Sequence, residues 1–203
     1  MPFDGLISTD NGATFNNVVS WPDGVIDAAI TPDGDYLFLL TEWLSTALHR
    51  YKLSDGTFST PVEFIATRFL NSVWSLRLLP SGDVLVAARL DKTDKDGYRA
   101  MYRVNPAYWS IAAYGPVLEG VAAWAAFASG PLDAPTFILV DVNTVGRTLY
   151  RLDTKSDTWT LVGQTPGPAA IHILDKQGTH LVSGSCEDMI FGGGHRSRDG
   201  GES

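Results

Sequence analysis

Apolar residues come along this chain in short runs cut by turn formers. One phrase of run, turn and run returns four times: VIDAAITPDGDYLFLL, VWSLRLLPSGDVLVAA, VAAWAAFASGPLDAPTFILV and AAIHILDKQGTHLVSG. Runs this short, rich in β-branched and aromatic residues and bounded by Gly, Pro, Asp and Ser, predict strands in hairpins. In PDGD and PSGD, proline presets φ and glycine accepts a positive φ, which is tight-turn chemistry. The turn glycines are Gly34, Gly82, Gly130 and Gly178, each 48 residues after the last. Ten residues before each stands another turn former: Gly24, Ser72, Gly120 or Pro168. The stretch GVAAWAAFASG is helical in composition, but its place in the repeat predicts a buried inner strand.

After each hairpin, LHRYKL, AMYRV, TLYRL and GGHRS predict a third strand. Beyond a tight corner, GTFSTPVEFI, YWSIAAYG and DTWTLVG predict a fourth. Four short strands at a period of roughly 40–50 residues form the pattern of a β-propeller blade. One four-stranded sheet cannot cover both of its faces, whereas blades packed face to face around an axis bury them and leave short edges. Small residues in the first strands, such as Ala28, Ala29, Ala122, Ala123, Ala169 and Ala170, suit a crowded axis. The predicted fold is all-β: a β-propeller of about four four-stranded antiparallel blades with a 48-residue repeat, in a single domain over residues 1–203. The repeat units are approximately 22–69, 70–117, 118–165 and 166–203, with 1–21 as a partial blade. A stacked β-sandwich or a β-solenoid is the competing architecture. If four blades close a ring, ATFNNVVSW (13–21) has to supply the fourth strand missing after Ser203.

The stretch STDNGATF, with Ser8, Asp10, Gly12, Thr14 and Phe15, resembles the Asp-box, the Ser-x-Asp-x-Gly-x-Thr-Trp/Phe hairpin of sialidase-like and other BNR-repeat propellers. SRDGGES, with Ser197, Asp199, Gly201 and Ser203, is similar over its first seven positions. LDTKSDTW is a degenerate copy keeping Thr158 and Trp159, and LSDGTF and VNPAYW are shortened copies at the same place in their repeats. The box has a physical rationale: its carboxylate accepts backbone N–H groups within its own turn, and its glycine supplies geometry other residues resist. The resemblance implies a folding device between third and fourth strands, with the aromatic anchoring the hairpin, on the face away from any active site. Ser8, Asp10, Gly12, Phe15, Ser197, Asp199 and Gly201 are therefore read as structural.

Composition narrows the function. The apolar and charged fractions, 44% and 19%, are those of a folded domain. The net charge is −8 and the 15 basic residues are scattered, which excludes a broad nucleic-acid surface. A single cysteine, Cys186, excludes an intrachain disulfide framework. The N-terminal MPFDGLISTD has neither the basic nor the apolar region of a signal peptide, and no apolar run reaches the ~18 residues of a membrane span.

The Asp-box resemblance also implies what a sialidase-like enzyme would need: an arginine cluster, a glutamate-activated tyrosine and an acidic proton donor. Arginines are present, but Arg103, Arg151 and Arg196 recur at one repeat position, which marks them as structural, and the Phe/Tyr-Arg-Ile-Pro segment of that family is absent. Five glutamates are present and none is paired by the sequence as glycosidase carboxylates would be. His172, His180, Cys186 and His195 are zinc-ligand types without chelating spacing. DKTDKDG has the outline of a calcium loop, but Lys92 and Arg103 stand where ligands belong. FGGGH lacks the Gly-Lys-Ser/Thr ending of a phosphate loop.

What remains is the channel mouth and its loops. Asp27, Arg77 and His172 break the small-apolar pattern of the first strands and are the candidate channel contacts; Glu42 and Trp43, in TEWLSTA, are the candidate loop contacts. The expectation is a non-enzymatic interaction or scaffold module, part of a larger assembly such as a phage virion or tail. Its partners would be proteins or glycans at the propeller face, or other chains in an assembly, and no catalytic residue, metal or cofactor is assigned. The alternatives are a carbohydrate-binding or glycoside-hydrolysing Asp-box propeller, or a piece of a larger propeller.

Overall fold

Short apolar runs leave every backbone N–H and C=O to be satisfied by a neighbour, so they persist only as paired strands. The computed structural model describes residues 5–8, 12–18, 24–41, 46–63, 73–88, 98–130, 133–142, 146–164, 171–174, 176–178, 181–183 and 195–198. Among the described residues there is no helix, and every strand pair is antiparallel. The chain divides into two units, Met1–Phe69 and Leu70–Ser203.

In the first unit, β1 (Gly5–Ile7) pairs with β2 (Asn16–Val18). The segment 13–21 thus supplies β2, whose described partner is β1. A second sheet runs β3 (Val25–Ile30), β4 (Tyr36–Thr41), β5 (Ala47–Lys52), β6 (Thr57–Phe58), with β7 (Val62–Glu63) also on β5. The fourth strand is in two pieces because Pro61 between them has no N–H for the ladder. Leu37, Leu39 and Tyr51 form the core of one face, with Phe58 tilted against Tyr51.

His49, on β5, sits in this sheet with Nε2 3.4 Å from Thr41 Oγ1 and its ring edge-on to Phe58. Burial holds its pKa below the ordinary histidine value. The unfolded chain therefore takes up a proton first as pH falls. The stability this imidazole contributes is complete above the unfolded value of about 6.5 and is lost as pH falls through the lower folded value. The denaturant midpoint should fall between about pH 7.5 and 5, and more steeply than in His49→Gln. Equal slopes in the two proteins would refute this assignment.

The second unit holds three sheets in hydrogen-bonded order. The first is β8 (Val73–Leu78), β9 (Val84–Ala88), β10 (Met101–Asn105) and β11 (Ser110–Tyr114). The second is β12 (Ala122–Phe127), β13 (Phe137–Val142), β14 (Gly146–Asp153) and β15 (Thr158–Gln164). The third is β16 (Ile171–Ile173), β17 (Leu181–Ser183) and β18 (His195–Ser197). Period-two geometry explains why the second strands β9 and β13 are nearly all apolar: both are covered on both faces. On β13, Ile138, Val140 and Val142 join Leu85 and Ala87 of β9 in one core, while Phe137 and Leu139 join Ile171, Ile173 and Leu181 in another.

The repeat is less uniform than its glycines imply. Three of the first strands, β3, β8 and β12, open with a bulge, at Val25/Asp27, Val73/Ser75 and Ala122/Trp124. That landmark puts Trp124, not Ala123, level with Asp27 and Ser75, and Ala126, not Ala125, level with Arg77. Gly34, Gly82 and Gly178 adopt φ of 74°, 88° and 67° in their turns, and Gly130 does not take the left-handed conformation. The chain between β12 and β13 is longer than the matching turns, and Gly130 lies in it for another reason. A Cβ there would stand 2.7 Å from Ile173 Cβ, so glycine allows this loop to lie against β16. Backbone bonds secure the approach: Ser129 N–H donates to Ile171 O at 2.9 Å, and Ile173 N–H to Ser129 O at 2.7 Å.

Candidate functional site

Polar groups knit the β8–β11 and β12–β15 sheets together. From β8, Ser75 Oγ accepts the Phe127 N–H at 3.0 Å. The buried Arg77 donates through Nη1 to Gly130 O at 3.1 Å and through Nη2 to Ala134 O at 3.4 Å. Burial lowers its pKa from the usual arginine value. Further out, Arg103 on β10 bridges two carboxylates. It donates through Nε to Asp83 at 2.8 Å, with Nη2 2.6 Å from the same oxygen, and through Nη1 to both Asp157 oxygens at 3.0 Å. Asn105 donates to Asp83 at 3.1 Å, and the Tyr114 hydroxyl donates to Asp157 at 2.5 Å. Burial, then the bond to Asp157, pushes the Tyr114 phenol well above its ordinary value.

Asp157 belongs to the corner between β14 and β15. Each corner carries an Asp or Asn whose oxygen accepts N–H groups just ahead of it, at the start of the corner for Asn105 and Asp153 and directly before Gly56 for Asp55. Asp55 takes Thr57, Asn105 takes Ala107 and Tyr108, and Asp153 takes Lys155. The last corner residue is left-handed in each: Gly56 at φ 70°, Trp109 at 49° and Asp157 at 56°. Trp109 therefore occupies the place of Gly56 and Asp157 rather than that of the aromatic. The ladder shows why: Phe58 faces Tyr51 and Trp159 faces Leu152, and Ile111 faces Val104 at the same place.

Beside the β14–β15 corner lies an open groove of about 870 Å³. Arg151, Asp153 and Lys155 line it from β14 and the corner, Thr160, Leu161 and Val162 from β15, and Asp133 to Thr136 and Lys176 from neighbouring loops. Lys176 pairs with Asp133 at 2.9 Å and holds that carboxyl below the usual range. Ser156 Oγ and the Lys155 N–H do the same for Asp153. The Arg151 guanidinium lies over the buried Phe137 ring, 5.7 Å from its centroid. The groove thus combines polar walls, an exposed outer strand and pre-set charges.

The expected site residues fall elsewhere. Asp27 lies on β3 in the first unit, where its carboxylate accepts the Ala28 N–H at 2.8 Å. Arg77 is turned into the seam described above. His172 is on β16, opposite Val182. Glu42, Trp43, Asp10, Asp199 and Gly201 lie outside the described residues. Gly12 has φ 86° and donates its N–H to Ser8 Oγ at 2.7 Å. Phe15 is 60% exposed, because β2 starts one residue later and leaves the ring in the turn. Ser197 ends β18, opposite Leu181. The groove residues were not singled out by the sequence. Their one signal was the recurring third-strand arginine, which is informative only once its surroundings are known.

Antiparallel sheets, in the second unit stacked and stapled through their inner edges, with β9 and β13 covered on both faces, define the class: this chain is a β-propeller of about four blades. No protein-family model matches it, and no curated protein does. Among solved structures, TolB from Acinetobacter baumannii is similar at a TM-score of 0.57 and 16% identity, over 89% of this chain and 43% of that one. YCF48 from Cyanidioschyzon merolae gives 0.55 and 15%, over 98% and 62%. A functionally unknown protein from Desulfotomaculum acetoxidans gives 0.52 and 16%, over 84% and 52%. At such identities the likeness shows the fold alone, and the chain spans less than two thirds of the length of each.

Proposed function

We propose that this propeller is a non-enzymatic interaction and scaffold module, of the kind built into a larger assembly such as a phage virion or tail. The observation that carries the reading is the combination at the β12–β15 sheet. Buried polar bonds and apolar cores fix the sheet in place, and an open, charged groove runs along its outer strands. A rigid support presenting an open groove suits recognition, because little ordering entropy is lost on binding. The test is a panel of chromogenic glycosides, including a sialoside and uronides. No turnover is expected, and turnover of any member, lost in a groove or channel variant, sinks the reading.

A second reading has its own support. The Gly12 conformation and the Ser8–Gly12 bond close a turn of the Asp-box kind, which favours a carbohydrate-handling propeller. Glycan-array binding together with glycoside turnover would establish it in place of the first.

A further inference from the structure

We propose that the groove beside β14 and β15 takes an acidic peptide in extended conformation, which adds along β15 and places a carboxylate on Arg151. The proposal rests on the interaction-module reading and names the partner of that groove.

The repeat itself shows what an arginine at this place does. Arg103 and Arg151 both stand two residues before the corner on the third strands, and Arg103 holds two carboxylates, Asp83 and Asp157. Asp83 lies one step beyond the pair Val84–Val104, opposite Asn105. The same register in the next sheet, two steps beyond Phe137–Arg151, puts Pro135 opposite Asp153. The acid is replaced by a proline that lines the groove. Among the described residues Arg151 makes no ion pair, and the ring beneath it holds the guanidinium towards the groove. Among the described residues this is a repeated carboxylate-binding position without a carboxylate. Lys155, from the adjacent corner, adds to the positive wall, while Lys176 and Asp133 pair with each other across from it and Asp153 is committed to the corner.

The backbone specifies the shape of the occupant. β15 is the outermost strand of its sheet, and its other edge carries outward N–H and C=O groups that an extended chain can pair with. Thr160, Leu161 and Val162 of that strand face the groove. Among the described residues no aromatic lines it, and the Phe137 ring under Arg151 is fully buried, so a sugar finds no exposed face to stack on. A peptide fits these surroundings and an acidic glycan does not.

The probe is a fluorescein-labelled heptapeptide of alternating Glu and Thr, titrated with the full chain by anisotropy at low salt. Saturable binding that weakens with salt is expected, together with slowed amide exchange over Thr158–Gln164. Arg151→Glu and Lys155→Glu, each on an exposed side chain, should weaken binding by about tenfold or more. Arg198→Glu, an exposed charge off the groove, should stay within about twofold. Melting curves confirm that each variant is folded. Absence of binding, binding unchanged in both groove variants, or binding of a uronic-acid hexasaccharide in place of the peptide would each overturn the proposal. Glycoside turnover would defeat the module reading separately, without bearing on the peptide titration.

Discussion

Phe137→Ala should cost the second unit about 3–5 kcal/mol of stability, the range for removing a fully buried phenylalanine. Phe137 opens β13, is fully buried and packs in the core shared with Ile171, Ile173 and Leu181. Its surroundings cannot easily collapse into the space. Gly178 hems the ring in; a Cβ on Gly178 would come within 3.0 Å of Phe137 Cε2. Part of the loss is transfer free energy and part is cavity, so Phe137→Leu should cost markedly less. Arg151 would also lose the ring that supports it, so acidic-peptide binding should weaken with stability. Urea unfolding checks this: a lower midpoint with an unchanged slope is expected, and a loss under about 1.5 kcal/mol would show that the site repacks.

Asp83→Ala should cost about 2–3 kcal/mol. The Asp83 side chain is 11% exposed and receives donors from Arg103 and Asn105. Its removal leaves Arg103 and Asn105 short of an acceptor inside the seam, and an unpartnered buried polar group costs more than its bond contributed. Arg103 is 30% exposed and keeps Asp157, so the figure lies below that for a fully buried pair. Asp157→Ala should cost under about 1 kcal/mol, since that carboxylate is 56% exposed. A double-mutant cycle between Asp83→Ala and Arg103→Met should return a coupling of about 1–3 kcal/mol; additive losses would mean the two act independently.

The three corners show where reading by pattern reaches its limit. The Gly56, Trp109 and Asp157 positions share a backbone conformation but no residue type, because a corner closed by an Asp or Asn acceptor can force even tryptophan into the left-handed region. A search for glycine and an aromatic therefore assigns Trp109 to the wrong place. Gly130 misleads in the opposite way. It keeps the 48-residue spacing, yet serves close packing on Ile173 rather than a turn.

The hydrophobic pattern by itself determined the strands, the antiparallel hairpins and the propeller class, because strand pairing and two-faced burial follow from residue order over a few positions. Which loop reaches which neighbouring sheet was decided only by the tertiary structure. Arg77 was legible as a polar break in an apolar strand, but its acceptors, Gly130 O and Ala134 O, are backbone atoms more than 50 residues away, and a carbonyl carries no residue-type signal. Arg103 and Arg151 read alike in sequence. They differ because Asp83 stands opposite one corner and Pro135 opposite the other, a consequence of strand register and loop length that no local pattern encodes.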